Sequence, residues 1–245
     1  MRGILTYHSL DDSGSPISIH PEAFVQHVEW LASGAVTVVP LEDLSAVPDE
    51  QDAVAVTFDD GFCNFNEHAW PLLRDAGLPV TLFVATLCVG GTNAWGGVEE
   101  PGIPTLPLCD WSQLRAMVAE GLVLGSHSRT HPRLSNVSDG RLADELAGAS
   151  SDLELRTGVR PRTLCYPYGD LDERVVEAAR EHYALGCTTE FRALGTTAEA
   201  MLLPRLDAYY WREAQGLPGW GSAAFRRHLW LRGQARGLRA RLRGD

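Results

Sequence analysis

Short, nearly continuous apolar runs recur along this chain, each followed by a segment of helical pattern, and that alternation limits the fold more than any other feature. Residues 3–8 (GILTYH), 36–40, 53–58 (AVAVTF), 80–86 (VTLFVAT), 122–127, 163–166 and 183–188 read as strands, with 201–209 a candidate for the last. Helices are expected at 21–33, opened by its proline, at 66–76, stopped by Gly77, and at 111–120, 139–157, 171–182 and 222–242. Strands that are apolar on both faces belong to a parallel sheet covered by helices. About seven such units suit a distorted (β/α) barrel, an architecture whose chemistry sits where the strands end. The Gly- and Pro-rich stretch 87–110 is too long for a plain connection and reads as a functional, lid-like loop.

Composition removes whole classes of chemistry. All 21 basic residues are Arg, so Schiff-base, pyridoxal-anchoring and P-loop lysines are excluded. Seven of them (Arg226, Arg227, Arg232, Arg236, Arg239, Arg241 and Arg243) fall in the last twenty residues, which leaves residues 1–225 with 14 Arg against 31 acids, a net charge of −17. A body that acidic repels phosphate backbones, and no nucleic-acid partner is expected. Cys63, Cys88, Cys109, Cys165 and Cys187 form an odd set without a Cys-x-x-Cys pair, neither a disulfide framework nor a zinc ribbon. The opening MRGILTYHSLDDSG lacks the apolar core of a signal peptide. A reducing, cytoplasmic setting is the expectation.

Four polar clusters fall at strand ends: His8, Asp59-Asp60, His127-Ser128-Arg129-Thr130-His131 and Tyr166-Pro167-Tyr168-Gly169. Two His with three residues between them can face one ion, and a carboxylate, with Asp60 the nearest candidate, adds a hard third ligand while leaving a position open for water. Standing alone, the His pair is more often a polar turn and Asp-Asp-Gly a plain turn; their joint placement favours the metal. Adjacent carboxylates on extended backbone point in different directions, so Asp59 is free to take a proton while Asp60 binds metal. Flat rings suit the apolar faces of sugars, and Trp95, Tyr168, Tyr209, Tyr210 and Trp211 are candidates for such a platform, Trp95 foremost.

TFDDG (57–61), HSRTHP (127–132) and YPYG (166–169), in this order and spacing, resemble the motifs of the polysaccharide deacetylases of carbohydrate esterase family 4, the NodB-homology domain. The resemblance covers roughly residues 3–210 and implies a distorted (β/α) barrel that removes acetyl groups from N-acetylated sugars with a divalent metal. Zinc is the ion expected, with cobalt, nickel or manganese as alternatives. By position, Asp59 resembles the catalytic base, Asp60, His127 and His131 the metal ligands, and Ser128 a residue bracing the His loop. Two departures stand out: the usual Arg of the third motif falls at Cys165, and the late Leu-x-His motif is missing after residue 210, where His228 is a poor substitute. The opening ILTYH instead resembles the permuted arrangement of bacterial poly-N-acetylglucosamine deacetylases, which makes His8 the general acid, entering the cavity from the side opposite Asp59. Arg205 then stands in for the absent Arg and orients Asp59, and the Tyr168 backbone N–H helps to hold the oxyanion. A structural hydrogen bond for His8 and a surface salt bridge for Arg205 are the competing readings.

The resemblance therefore implies a deacetylase domain over 1–220 and a basic helical tail over 221–245. A small nucleotide- or lipid-linked amino sugar, or an antibiotic intermediate, is an alternative substrate, and a non-catalytic glycan-binding domain is an alternative role. The Arg-rich amphipathic tail has two readings as well. In the first it folds back and its arginines pair with the acidic body; in the second it makes a peripheral contact with anionic membrane.

Overall fold

The computed structural model describes residues 1–212 and 217–243, the side chains of 218 and 237–243 excepted. Along the described chain run β1 (Arg2–Tyr7), β2 (Ser9–Leu10), β3 (Ser18–Ile19), α1 (Pro21–Ala32), β4 (Thr37–Val38), β5 (Ala53–Phe58), α2 (Trp70–Asp75) and β6 (Val80–Val84). There follow α3 (Trp111–Ala119), β7 (Val123–Ser126), α4 (Asp139–Ala143), α5 (Ala149–Thr157), β8 (Thr163–Cys165), α6 (Glu173–Arg180), β9 (Leu185–Cys187), β10 (Leu206–Asp207) and α7 (Ala223–Arg243). Turns of π-helix lead into α2 and join α4 to α5, so the stretch expected as one helix from 139 to 157 is continuous.

The main sheet is parallel, in the order β10-β1-β5-β6-β7-β8-β9, with β4 beside the first residues of β5 and β6 beside its last. Cys187 bridges Leu203 in parallel and Leu206 pairs with Leu5, so segment 203–207 spans from β9 to β1 and closes the barrel. That segment holds less strand than expected. After β10 the Asp207 side chain accepts the Tyr209 N–H and starts a 3-10 turn, Ala208–Trp211. Alternation along the strands sorts the core into two layers. Ile4, Ala53, Ala55, Phe83, Cys165 and Cys187 pack inside the barrel, while Leu5, Val54, Val56, Phe58 and Leu82 pack outwards under the helices. Gly125 makes room for Phe83, since a Cβ there would stand 2.4 Å from the ring.

Apolar side chains, not ion pairs, hold α7 to the barrel. Phe225 and Leu229 are buried, Phe225 stacks on Trp211 with centroids 5.5 Å apart, and Trp220 covers Gly3. The expected pairing of this helix's arginines with acidic surface is largely absent among the described residues: only Arg236 reaches a carboxylate, Asp207 at 3.8 Å. Arg232 and Arg236 lie instead over Tyr210 and Phe191, 4.6 and 5.4 Å from the ring centroids, where a guanidinium is attracted to an aromatic face without desolvating a carboxylate. Leu238, Arg239, Arg241, Leu242 and Arg243 lie outside the described side chains.

One buried histidine ties the two ends of the chain together. The Trp211 carbonyl can only accept, so His27 Nε2–H donates to it at 2.9 Å and His27 Nδ1 accepts the Tyr7 hydroxyl at 3.0 Å. Burial pushes this imidazole down to about 4 from its ordinary 6.5, and it is neutral in the fold. Between those values the unfolded chain binds a proton that the folded chain refuses, so this contribution to stability is complete above pH 6.5 and is lost as pH falls toward 4. Thermal midpoints measured across that window should fall more steeply for the wild type than for His27→Gln. Parallel slopes would show that His27 does not carry the effect.

Candidate metal centre and catalytic cavity

β5 delivers two neighbouring carboxylates into different surroundings. Period-two alternation carries Ala53, Ala55, Thr57 and Asp59 to the inner face, where Asp59 is 2% exposed. Arg205 Nη1 donates to Asp59 Oδ1 and Nη2 to Oδ2, each at 2.7 Å. Two of the three remaining guanidinium donors go to Thr188 O at 3.0 Å and Thr6 Oγ1 at 2.9 Å. Cys165 Sγ–H points to Asp59 Oδ2 at 3.5 Å and accepts from Arg205 Nη2 at 3.0 Å. Burial alone would raise the Asp59 carboxyl; the Arg205 charge and its hydrogen bonds hold it well below the usual carboxylate range.

Asp60 leaves the alternation. Asp60 and Gly61 are successive left-handed residues, φ 70° and 79°, and only glycine fits at 61, where a Cβ would lie 2.8 Å from Val84. This turn sends the Asp60 side chain to the loop after β7. There His127 Nδ1–H donates to Cys165 O at 2.7 Å, which leaves its Nε2 bare, 3.5 Å from Asp60 Oδ1 and 3.2 Å from His131 Nε2. His131 Nε2 is also 3.5 Å from Asp60 Oδ1. Ser128 Oγ accepts the His131 amide at 3.0 Å, and buried Glu145 accepts the Arg129 and Thr130 amides at 2.9 Å, so the loop is held from both ends. Burial pushes the His131 imidazole down to about 3.

These three side chains fit a divalent cation. Asp60 Oδ1 is fully buried with no hydrogen-bond partner, and two imidazole nitrogens converge on it, an arrangement of acceptors that calls for a positive centre. Strain points to the same place. Among the described residues the non-glycine positions with positive φ are Asp60, Ser128, His131 and Tyr168, between 59° and 70°, and all belong to this site. Each costs about 1–3 kcal/mol and persists only where the surroundings impose it.

The cavity over the site is lined by His8, Trp95, Glu100, Tyr168 and Arg205 together with the carboxylates and both histidines. The Trp95 ring stacks on His131 with centroids 4.1 Å apart, and Tyr168 meets the same imidazole edge-on at 4.6 Å. His8 differs from expectation in one respect: Nε2 lies 3.6 Å from Asp59 Oδ2, beside the carboxylate and not across from it. The reason is register. β1 and β5 pair in parallel, Tyr7 opposite Phe58, so the next residues on each strand project together. Of the aromatic candidates, Trp211 is buried in the core, and Tyr209 and Tyr210 lie against Arg212 and Arg232 outside this cavity. Glu145 and the Cys165 thiol were not foreseen. Glu145 sits in an ordinary acidic helix, and its only signal is that it is buried there.

A parallel barrel with paired carboxylates, an Asp-His-His set and a guanidinium-locked partner at its strand ends makes a candidate hydrolytic metal site. The family model of the polysaccharide deacetylases matches residues 46–184, more than half of the chain, and the chain belongs to that family with its NodB-type domain. The match contains all three motifs but excludes His8 and Arg205. Over 193 residues the chain is 27% identical to YxkH of Bacillus subtilis (strain 168), covering 76% of this chain and 64% of that protein. It is 22% identical over 203 residues to the poly-beta-1,6-N-acetyl-D-glucosamine N-deacetylase of Staphylococcus epidermidis, covering 77% of this chain and 67% of that one. The structure of IcaB from Ammonifex degensii superposes with a TM-score of 0.70 and 25% identity, over 87% of this chain and 95% of that one.

Removing either imidazole should abolish tight metal binding. Zinc titrated calorimetrically into His127→Ala or His131→Ala should bind more weakly by well over the ~10–100-fold that follows loss of a ligand's own hydrogen-bond partner. Full zinc occupancy in the double variant would remove the assignment.

Proposed function

We propose that the chain hydrolyses the N-acetyl amide of an amino sugar within a glycan or glycan precursor, using a divalent cation, zinc by preference, held by Asp60, His127 and His131. The observation that carries this reading is the split between adjacent carboxylates: Asp59 is locked on Arg205, while Asp60 keeps an unpartnered oxygen 3.5 Å from the Nε2 atoms of two histidines. Membership of the deacetylase family and the named activity of the Staphylococcus epidermidis relative support an acetylated amino sugar. The five free thiols support a reducing compartment as its place of work.

A cation in this set supplies Lewis acidity to the acetyl carbonyl and to a water. The chain's own residues do the rest. Asp59, ionised and immobile, accepts a proton from the attacking water as the new C–O bond forms at the acetyl carbon. His8, on the neighbouring strand, delivers a proton to the nitrogen as the C–N bond breaks, giving acetate and a free amine. The Tyr168 backbone, held at φ 60°, offers its N–H to the developing oxyanion. Trp95 and Tyr168 flank His131 and restrict water around it.

Asp59→Asn separates the two carboxylate roles. The variant should bind zinc as the wild type does and lose about 10²–10⁴-fold in turnover, because an amide cannot take the proton. A folded Asp59→Asn protein that has lost its zinc would show that the roles of Asp59 and Asp60 are exchanged.

A further inference from the structure

A groove of about 1200 Å³ runs off the catalytic cavity. The two share Thr189, and Gly169 of the groove follows Tyr168 of the cavity, so the groove adjoins the cavity at that edge. One wall is the segment that follows β9; the other is α7, which presents Arg226, Trp230 and Arg236. The cavity itself measures about 220 Å³, below the ~300–1,000 Å³ that encloses a drug-sized ligand, so it accommodates an acetamido group and the adjoining ring edge and leaves the rest of a glycan outside.

Charge in the groove runs against that of the molecule. The chain has a formal net charge of −11, yet the groove is lined by Arg192, Arg226 and Arg236 with one acid, Glu190, already bound to Arg192 at 2.7 Å. Arg226 spends its Nε on Gly221 O at 3.0 Å and has no carboxylate partner among the described residues. On the same wall the Trp230 indole is 63% exposed, a large flat apolar surface next to an unpaired cation. A pyranose face covers the one and an anionic group neutralises the other.

We propose that this groove holds the continuation of an anionic N-acetylated glycan, with Trp230 against a sugar face and Arg226 on an acidic group, and that an acid-bearing substrate is therefore preferred. The proposal rests on the deacetylase reading of the cavity, but its test does not require turnover. The acidic group is either a uronate carboxylate within the glycan or a phosphate that links the sugar to a carrier.

Calorimetric titration of the full-length, zinc-loaded protein at low salt decides the matter with three probes. These are an octasaccharide alternating N-acetylglucosamine and glucuronate, a neutral N-acetylglucosamine octamer, and UDP-N-acetylglucosamine. One of the two acidic probes should bind roughly tenfold tighter than the neutral octamer, and Arg226→Gln and Trp230→Ala should each weaken it about fivefold. The tighter acidic probe identifies the source of the charge. Equal binding of all three, or variants that bind the acidic probe as the wild type does, would overturn the proposal. So would sedimentation with phosphatidylglycerol vesicles that both substitutions abolish in a protein without glycan preference, since that result assigns the wall to a bilayer. Tight binding of an acidic probe with no acetate released from any of them counts against the deacetylase reading and leaves the groove standing.

Discussion

The buried ion pair between Arg205 and Asp59 is the contact on which the rest of the structure depends. Both side chains are 2% exposed, and taking two such ions out of water costs several kcal/mol each. The cost is offset because the pair is bidentate and because the remaining guanidinium donors are taken by Thr188 O, Thr6 Oγ1 and Cys165 Sγ. Those partners lie on different parts of the barrel: β5, β8, the end of β9 and β1. The side chain that fixes the carboxylate also fastens the segment that closes the sheet. Deleting either partner would leave an uncompensated buried charge, worth about 3–5 kcal/mol of stability.

The strained backbone of the site follows from this arrangement. A regular strand end would carry Asp59 and Asp60 to opposite faces of the sheet, one inside and one among the helices. The left-handed pair Asp60-Gly61 brings the second carboxylate back over the barrel mouth, and left-handed Ser128 and His131 turn the facing loop towards it. Hydrogen bonds from the loop amides to Glu145 and to Ser128 Oγ hold that geometry, with Asp60 and both histidines aimed at one point.

Much of this was legible in the sequence where local pattern decides it. AVAVTF is β5 residue for residue, because a buried parallel strand needs an unbroken apolar run. The polar clusters after β5, β7 and β8 converge because parallel strands all end at one face, and His8 joins them through the pairing of β1 with β5. What escaped depends on tertiary contacts. The closing segment 203–207 carries two strand residues, and its position is set by Cys187 and Leu5, far away in sequence. The side of Asp59 on which His8 sits is a matter of register, which composition does not encode. The α7 arginines were expected on carboxylates because the body is acidic, yet Arg232 lies over the Tyr210 ring and Arg236, 3.8 Å from Asp207, lies also over Phe191. Trp211 is a candidate for a sugar platform by its aromatic ring; its stacking on Phe225 places it in the core instead.

In the proposed reaction Asp60 is reserved for the cation and Arg205 keeps Asp59 from it. Three donors that include Asp59, namely Asp59, His127 and Cys165, also lie within 4.8 Å of one another and offer a rival site. Anomalous diffraction from zinc-loaded crystals tests the claim most directly. A single zinc peak in contact with Asp60, His127 and His131, with Asp59 still bidentate on Arg205, is the predicted result; a peak among Asp59, His127 and Cys165 would contradict it.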